Sequence, residues 1–270
     1  MQYPLVSVLM TAYNREKYIE EAIESVLAST LKDFELIIVD DSSADKTVEI
    51  ANSYAKKDKR VKIFINEHNL GDYPNRNKAA SYAQSKYIKY LDSDDIMYPH
   101  CLEVMVHCME KFPAAGFGLS AKTDPSKPYP VFLTSREAYI ENFYGYGHFD
   151  RAPGSSIIKK EAFDKVGGFS GERMIGDTDL WYRLAMNYPM VKFVPDLYWS
   201  RLHEGQESQS SYAQQQYEQL RKMVMDRYFK NPACPLNDKE RKDFLAGISR
   251  KKRRTFFINT VKKVLRSNNH

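Results

Sequence analysis

Four times in its first hundred residues the chain repeats one pattern: a short apolar run, a polar turn, then a segment with helical spacing. The runs are residues 5–10 (LVSVLM), 35–39 (ELIIV), 61–65 (VKIFI) and 87–91 (YIKYL). Between them Ala22, Ile23, Val26 and Leu27, then Val48, Ile50, Ala51 and Tyr54, then Ala79, Ala80 and Ala83 recur at helical intervals. Strands and helices alternating at this spacing predict βαβ crossovers, hence an α/β fold with a mostly parallel central sheet flanked by helices. Sheets of that kind bind ligands just beyond the carboxyl ends of their strands. The turns that follow the runs are therefore the candidate site: residues 11–15 (TAYNR), 40–43 (DDSS), 66–71 (NEHNLG) and 92–95 (DSDD).

Beyond residue 112 the alternation weakens, and Pro113, Pro125, Pro128, Pro130 and Pro153 punctuate a stretch rich in Gly and Tyr. Order returns with a predicted strand at 155–158, a turn at Gly167-Gly168, a helix over 177–187 carrying Leu180, Trp181, Leu184 and Ala185 on one side, and a strand at 191–194. From Ser208 onward the chain reads as helical and polar. A length of 270 residues is enough for one main domain with a substantial core. The predicted organisation is a domain over 1–205, divided into halves 1–112 and 113–205, followed by a helical, basic extension over 206–270.

The sharpest chemical signal is the run Asp92-Ser93-Asp94-Asp95 at the end of the fourth strand. Residues two apart on a strand point to the same side, so Asp92 and Asp94 are expected to converge while Asp95 turns away or begins the next turn. Two hard carboxylates on one face suit Mg²⁺ or Mn²⁺, ions that also accept ligands from a substrate diphosphate. Acidic residues capping a following helix are the simpler reading. Crowding three carboxylates at a strand end disfavours it, because they repel one another unless a cation is present.

The blocks VSVLMTAYNREKYIEEAIESVL, FELIIVDDSSADKT, NLGDYPNRNKAAS and YIKYLDSDD, spanning about residues 5 to 100, resemble the donor-binding half of family 2 glycosyltransferases of the GT-A fold. The resemblance implies an inverting, metal-dependent, hexosyltransferase-like enzyme with a Rossmann-like sandwich. It implies that Thr11, Ala12 and Tyr13 surround the nucleotide base, that Asp40 hydrogen-bonds it, and that Gly71, Arg76, Asp92, Ser93 and Asp94 belong to the donor site. A guanidinium such as Arg76 suits phosphate oxygens; the alternative is an exposed helix charge. Asp41 is expected to cap a helix starting near Ala44. Residues 174–184 (MIGDTDLWYRL) are similar to the family's Glu-Asp-x-Asp-Leu-x-x-Arg element, whose first Asp is the general base. That role falls on Asp177, with Gly176 where the family has Glu; the alternative is an acidic first helical turn formed by Asp177 and Asp179. An Arg-x-His element at Arg201 and His203, followed by Ser208 and Ser210, resembles the family's and implies that His203 or its neighbours close over the diphosphate or metal, with His203 a candidate third ligand beside Asp92 and Asp94; the alternative is a surface or hydrogen-bonded histidine. Implied partners are a nucleotide-diphosphate sugar, UDP favoured, and a saccharide or lipid-linked acceptor, in surface polysaccharide synthesis.

Two other classes share part of this pattern. A sugar-phosphate nucleotidyltransferase would carry a Gly-rich loop after the first strand, and residues 11–15 contain no glycine. A non-catalytic glycan-binding relative would have no need to keep Asp92, Asp94 and Asp177. No G-x-G-x-x-G follows an early strand, which disfavours a dinucleotide oxidoreductase.

The net charge of +5 is placed unevenly, with five consecutive cations at residues 250–254. Phe257, Val261, Val264 and Leu265 after them share a helical face, which reads either as an interfacial membrane helix or as a face packed on protein. Nucleic acid is not an expected partner, since no recognition motif accompanies the basic run. Three cysteines, Cys101, Cys108 and Cys234, have neither metal-site spacing nor the number of a disulfide framework. With no basic leader before the first strand and no long apolar span, the expectation is a cytoplasmic protein, with contact at the inner face of the membrane through the tail.

Overall fold

The computed structural model describes residues 3–120, 128–144, 147–203, 211–244 and 246. The predicted βα alternation is present: β1 (Val6–Ala12), α1 (Ile19–Leu27), β2 (Phe34–Asp40), α2 (Thr47–Ala55), β3 (Val61–Ile65), α3 (Asp72–Tyr82) and β4 (Tyr87–Tyr90). There follow β5 (Ile96–Met97), α4 (Cys101–Lys111), β6 (Phe117–Ser120), β7 (Val131–Leu133), α5 (Ser135–Tyr144), a 3₁₀ turn at Pro153–Ser155, β8 (Ser156–Lys159), α6 (Lys160–Lys165), α7 (Gly176–Asn187), β9 (Met190–Phe193), β10 (Tyr198–Trp199) and α8 (Ser211–Lys230).

Eight strands form one sheet in the order β3-β2-β1-β4-β8-β6-β9-β7. Those from β3 to β4 are parallel; β8 runs antiparallel to β4 and β6, β9 runs parallel to β6, and β7 closes the edge antiparallel to β9. Six strands therefore point one way, and only β7 and β8 oppose them. The chain moves outward from β1 to β3 and returns to the other side of β1 as β4. The carboxyl ends of β1 and β4 thus flank the point where strand order reverses, the usual place for a ligand crevice.

Burial follows the pleat. In β1, Val6, Val8, Met10 and Ala12 join the core on one face, with α1 and α4, while Leu9 joins the core on the other. All seven residues of β2 are buried, as expected of a strand covered on both faces. Helix α1 turns Ile19, Ala22, Ile23 and Val26 inward at the spacing of one helical face. On the opposite face Trp181 of α7 is fully buried, its ring stacked on Phe117 at 6.2 Å and its indole N–H donating to Arg151 O at 2.7 Å. Truncating such a residue costs about 3–5 kcal/mol.

Helix α8 belongs to this same core. Val224, Tyr228 and Phe229 are buried with the α7 residues, and Tyr228 Oη donates to the buried Asp179 at 2.6 Å. Among the described residues no helix is long and apolar enough to cross a membrane. The basic run and the amphipathic stretch predicted after it lie outside the described residues.

Candidate active site

A cleft of about 460 Å³ opens at the carboxyl edge of the sheet. Its floor is the acidic segment after β4. The strand ends at Tyr90, and residues 92–95 form a turn in which Asp95 N–H donates to Asp92 O at 3.0 Å. Convergence therefore comes from the turn rather than from strand alternation, and it includes Asp95. One carboxylate oxygen from each of Asp92, Asp94 and Asp95 lies within 4.8 Å of the others.

Each carboxylate has a different environment. Asp94 Oδ2 accepts from Arg15 Nε at 3.1 Å and lies 3.0 Å from His203 Nε2. Asp95 Oδ1 accepts from Arg201 N at 3.0 Å, and burial together with the Asp92 charge pushes its carboxyl up to about 7. Asp92 Oδ1 faces Arg76 Nη1 at 2.8 Å, yet the pair is not aligned for a hydrogen bond and both atoms are buried without one. A buried carboxylate oxygen beside two further carboxylates fits a hard divalent cation, and a buried guanidinium beside them fits a phosphate oxygen.

Helix α3 holds Arg76. Its first residues bring Gly71, Asp72, Tyr73, Asn75 and Arg76 to the cleft. Gly71 adopts φ +85°, which favours glycine, and donates its N–H to Asp41 Oδ2 at 2.9 Å. Pro74 falls in the first helical turn, where an N–H has no intrahelical acceptor, so the helix tolerates it. Arg76 is nearly buried; burial opposes its charge, but Asp72 and Asp92 hold its pKa well above the ordinary value.

Asp177 also lines the cleft, as the second residue of α7. Its Oδ1 accepts from Thr178 N at 2.6 Å, and burial pushes its carboxyl up to about 6 against the pull of Arg76 and Arg221. Gly176 before it is enforced by packing, since a Cβ there would lie 2.7 Å from the ring of Tyr73. Asp179, two residues on, takes no part in the cleft and accepts instead from Arg183 Nε at 2.8 Å and from Tyr228.

A further joint lies beneath the floor. Lys89 of β4 is fully buried and donates to Tyr90 O at 2.6 Å and to Gly154 O. Burial pulls its pKa down, and its ammonium lies 5.3 Å from the centre of the Tyr198 ring. It thereby ties the 3₁₀ turn, whose Pro153 lines the cleft, to the strand that carries the acidic turn.

The sequence matches Glycosyl transferase family 2 over residues 7–167, more than half of the chain. The chain belongs to glycosyl transferase family 2. It is 49% identical over 112 residues to an uncharacterized glycosyltransferase of Methanocaldococcus jannaschii, a match covering 41% of this chain and 39% of that protein. Glycosyltransferase GlyG of Streptococcus pneumoniae is 29% identical over 217 residues, covering 74% of this chain and 72% of that one. TuaG of Bacillus subtilis, named for teichuronic acid biosynthesis, is 39% identical over 137 residues, covering 50% and 54%. Among solved structures, TarS of S. aureus in complex with UDP-GlcNAc superposes with a TM-score of 0.69 at 20% identity, over 90% of this chain and 70% of that one. The mannosyltransferase PcManGT of Pyrobaculum calidifontis, with GDP-Man and Mn²⁺, gives 0.67 at 17%, over 92% and 76%. The fold is accordingly of the GT-A type.

Within that family fold, the structure brings Thr11, Ala12, Tyr13, Gly71, Arg76, Asp92, Ser93, Asp94 and Asp177 to one cleft, and His203 to Asp94 beneath it. Asp40 is the exception. Its two oxygens accept from Ser43 N at 2.8 Å and Ser43 Oγ at 2.5 Å, and it is buried away from the cleft wall. Asp41 lines the cleft instead, and it caps no helix: α2 starts at Thr47, whose N–H donates to Asp45 at 2.9 Å. Asp41 accepts from Asn66 Nδ2, Leu70 N and Gly71 N, so its charge organises the loop before α3. Arg15, within the candidate turn 11–15, also lines the cleft. Tyr73 and Tyr217 line it without having been anticipated; Tyr217, on a polar helix far along the chain, gave no signal. Ser208 and Ser210 lie outside the described residues.

Proposed function

We propose that this chain transfers a sugar from a nucleotide-diphosphate donor, UDP favoured, to the hydroxyl of a saccharide or lipid-linked acceptor, with inversion, in polysaccharide synthesis. The observation that carries the reading is that Arg76, the acidic turn and Asp177 line one cleft. Tyr13, half exposed beside Thr11 and Ala12, offers a ring for the base to stack on. Arg76 turns its buried N–H groups to the diphosphate. Asp92 and Asp94, with His203 against Asp94, would hold Mn²⁺ or Mg²⁺, which when bound offsets the charge that gathers on the departing diphosphate. Asp177 takes the acceptor's proton as its oxygen attacks the anomeric carbon from the face opposite the nucleotide; the C–O bond to the diphosphate breaks as the new one forms. A carboxyl raised to about 6 is largely ionised at neutral pH and a stronger base than an ordinary aspartate.

The polysaccharide setting draws on TuaG and on EpsE of Bacillus subtilis, which is 31% identical over 67% of this chain. Incubation with UDP-, GDP- and dTDP-sugars and Mn²⁺ tests the reading. Thermal stabilisation by nucleotide that depends on Mn²⁺, and release of nucleoside diphosphate, are expected. Release of pyrophosphate would instead indicate nucleotidyl transfer, and neither stabilisation nor turnover with any donor would overturn the proposal.

A further inference from the structure

Helix α8 carries a stripe that changes character along its length. Tyr217, Arg221, Val224 and Tyr228 follow one another at intervals of four, three and four residues, so they share one helix face. The C-terminal part of the stripe is core: Val224 is fully buried, and Tyr228 is held by Asp179 of α7. Arg227 adds an ion pair to Glu172, in the loop before α7. The N-terminal part opens onto the cleft, where Tyr217 lines the same cavity as Asp177. Arg221 stands between the two, exposed, its guanidinium 5.4 Å from the centre of the Tyr217 ring. It forms no ion pair among the described residues.

The arginines that line the cleft are already committed. Arg15 is paired with Asp94, and Arg76 with Asp72 and Asp92. Arg221 stands outside that lining, beside Tyr217, on the helix that is latched to α7. Its charge reaches Asp177, where it favours the ionised carboxylate. Because α8 is latched to α7 at Asp179, the Tyr217–Arg221 pair holds a fixed place relative to Asp177. A sugar ring can lie on Tyr217 while an oxyanion meets Arg221, a planar donor suited to carboxylate or phosphate.

We propose that Tyr217 and Arg221 form an acceptor subsite for an anionic acceptor, a sugar or polyol bearing a carboxylate or phosphate group. This rests on the glycosyl-transfer reading and deepens it by giving the acceptor a charge. Arg221 acts on acceptor choice, not on donor binding.

The test uses the full chain saturated with UDP and Mn²⁺. Binding of glucuronate, glycerol 3-phosphate and glucose is measured by calorimetry or ligand-observed NMR, in the wild type and in Arg221→Gln, Arg221→Lys and Tyr217→Ala. Glucuronate or glycerol 3-phosphate should bind at least about ten-fold more tightly than glucose, and whichever binds more tightly tells carboxylate from phosphate. Arg221→Gln should remove that preference while UDP affinity stays as in wild type, Arg221→Lys should restore part of it, and Tyr217→Ala should weaken all three ligands. Equal binding of glucose and both anions, or an anion preference that survives Arg221→Gln, overturns the proposal. Loss of UDP affinity in Arg221→Gln also overturns it, by moving the cation to the donor. Failure of the wild type to bind UDP with Mn²⁺ would strike the glycosyl-transfer reading itself, and is thereby told apart from a protein that binds UDP but shows no anion preference.

Discussion

The two walls of the cleft are built by different means. The wall of Thr11, Asp41, Gly71, Arg76 and Asp92 comes from consecutive βα units, each residue sitting at the end of its own strand, just after it, or at the head of the next helix. The wall of Pro153, Asp177 and Tyr217 comes from a 3₁₀ turn, a helix start and a distant helix that meet only through packing. Local geometry fixes the first. The second depends on three long-range joints: Lys89 to Gly154, Tyr73 against Gly176, and Tyr228 to Asp179. A wall set by strand order can be inherited with the fold, whereas one set by side-chain joints can be rebuilt by a few substitutions.

If the walls divide donor from acceptor chemistry, mutations should separate the two activities. Asp177→Asn should lower transfer by about 10²–10⁴-fold while leaving Mn²⁺-dependent UDP affinity in place, measured by turnover and calorimetry. Asp94→Ala should do the converse first, weakening UDP binding with Mn²⁺ by about a hundred-fold and abolishing the response to the ion. A mutant of either wall that lost both properties equally would break the division.

Smaller effects probe the joints. Gly176→Ala drives a methyl into the Tyr73 ring and should cost about 1–3 kcal/mol, read as a lowered Tm, and Tyr73→Ala in the same chain should recover part of it. Tyr228→Phe removes a hydrogen bond to a buried carboxylate and should cost about 1–2 kcal/mol, with kcat falling more than UDP affinity because α8 sits on the second wall. The smallest is a shift in pH dependence. A base at Asp177 would have to be ionised to accept a proton, so under the proposed mechanism transfer should fall about ten-fold per pH unit below about 6 and level off above it. Arg221 favours the ionised form, so Arg221→Gln should move that limb to higher pH.

The same division explains what could be read in advance. The runs at 5–10, 35–39, 61–65 and 87–91 became β1 to β4 because a buried parallel strand is a continuous apolar run with a helix after it. The predicted strands at 155–158 and 191–194 appear one residue displaced, as β8 and β9, and the helix over 177–187 begins at Gly176. Strands β5, β6, β7 and β10 went unread. They have two to four residues each, too few for a period, and β6 and β7 are defined by partners far away in sequence. In the site, residues after a strand end were legible by position. Asp40 and Asp41 were not separable that way, because adjacent residues point apart and only the Ser43 and Leu70 contacts decide which faces the cleft. Tyr73 opposite Gly176 needed the fold, since nothing in either segment names the other.

The pairing of Ile88 with Ile158 joins the two parts of the sheet, and it has a consequence for synthesis. As the chain leaves the ribosome, β1 to β4 can assemble while β4 still lacks its outer neighbour. Its open edge waits until residue 158 has emerged, and the second wall waits longer, for α8. A nascent chain would thus carry a nearly finished first wall well before it carries the rest of the cleft. During that interval the exposed strand is the part most open to pairing with a neighbouring chain.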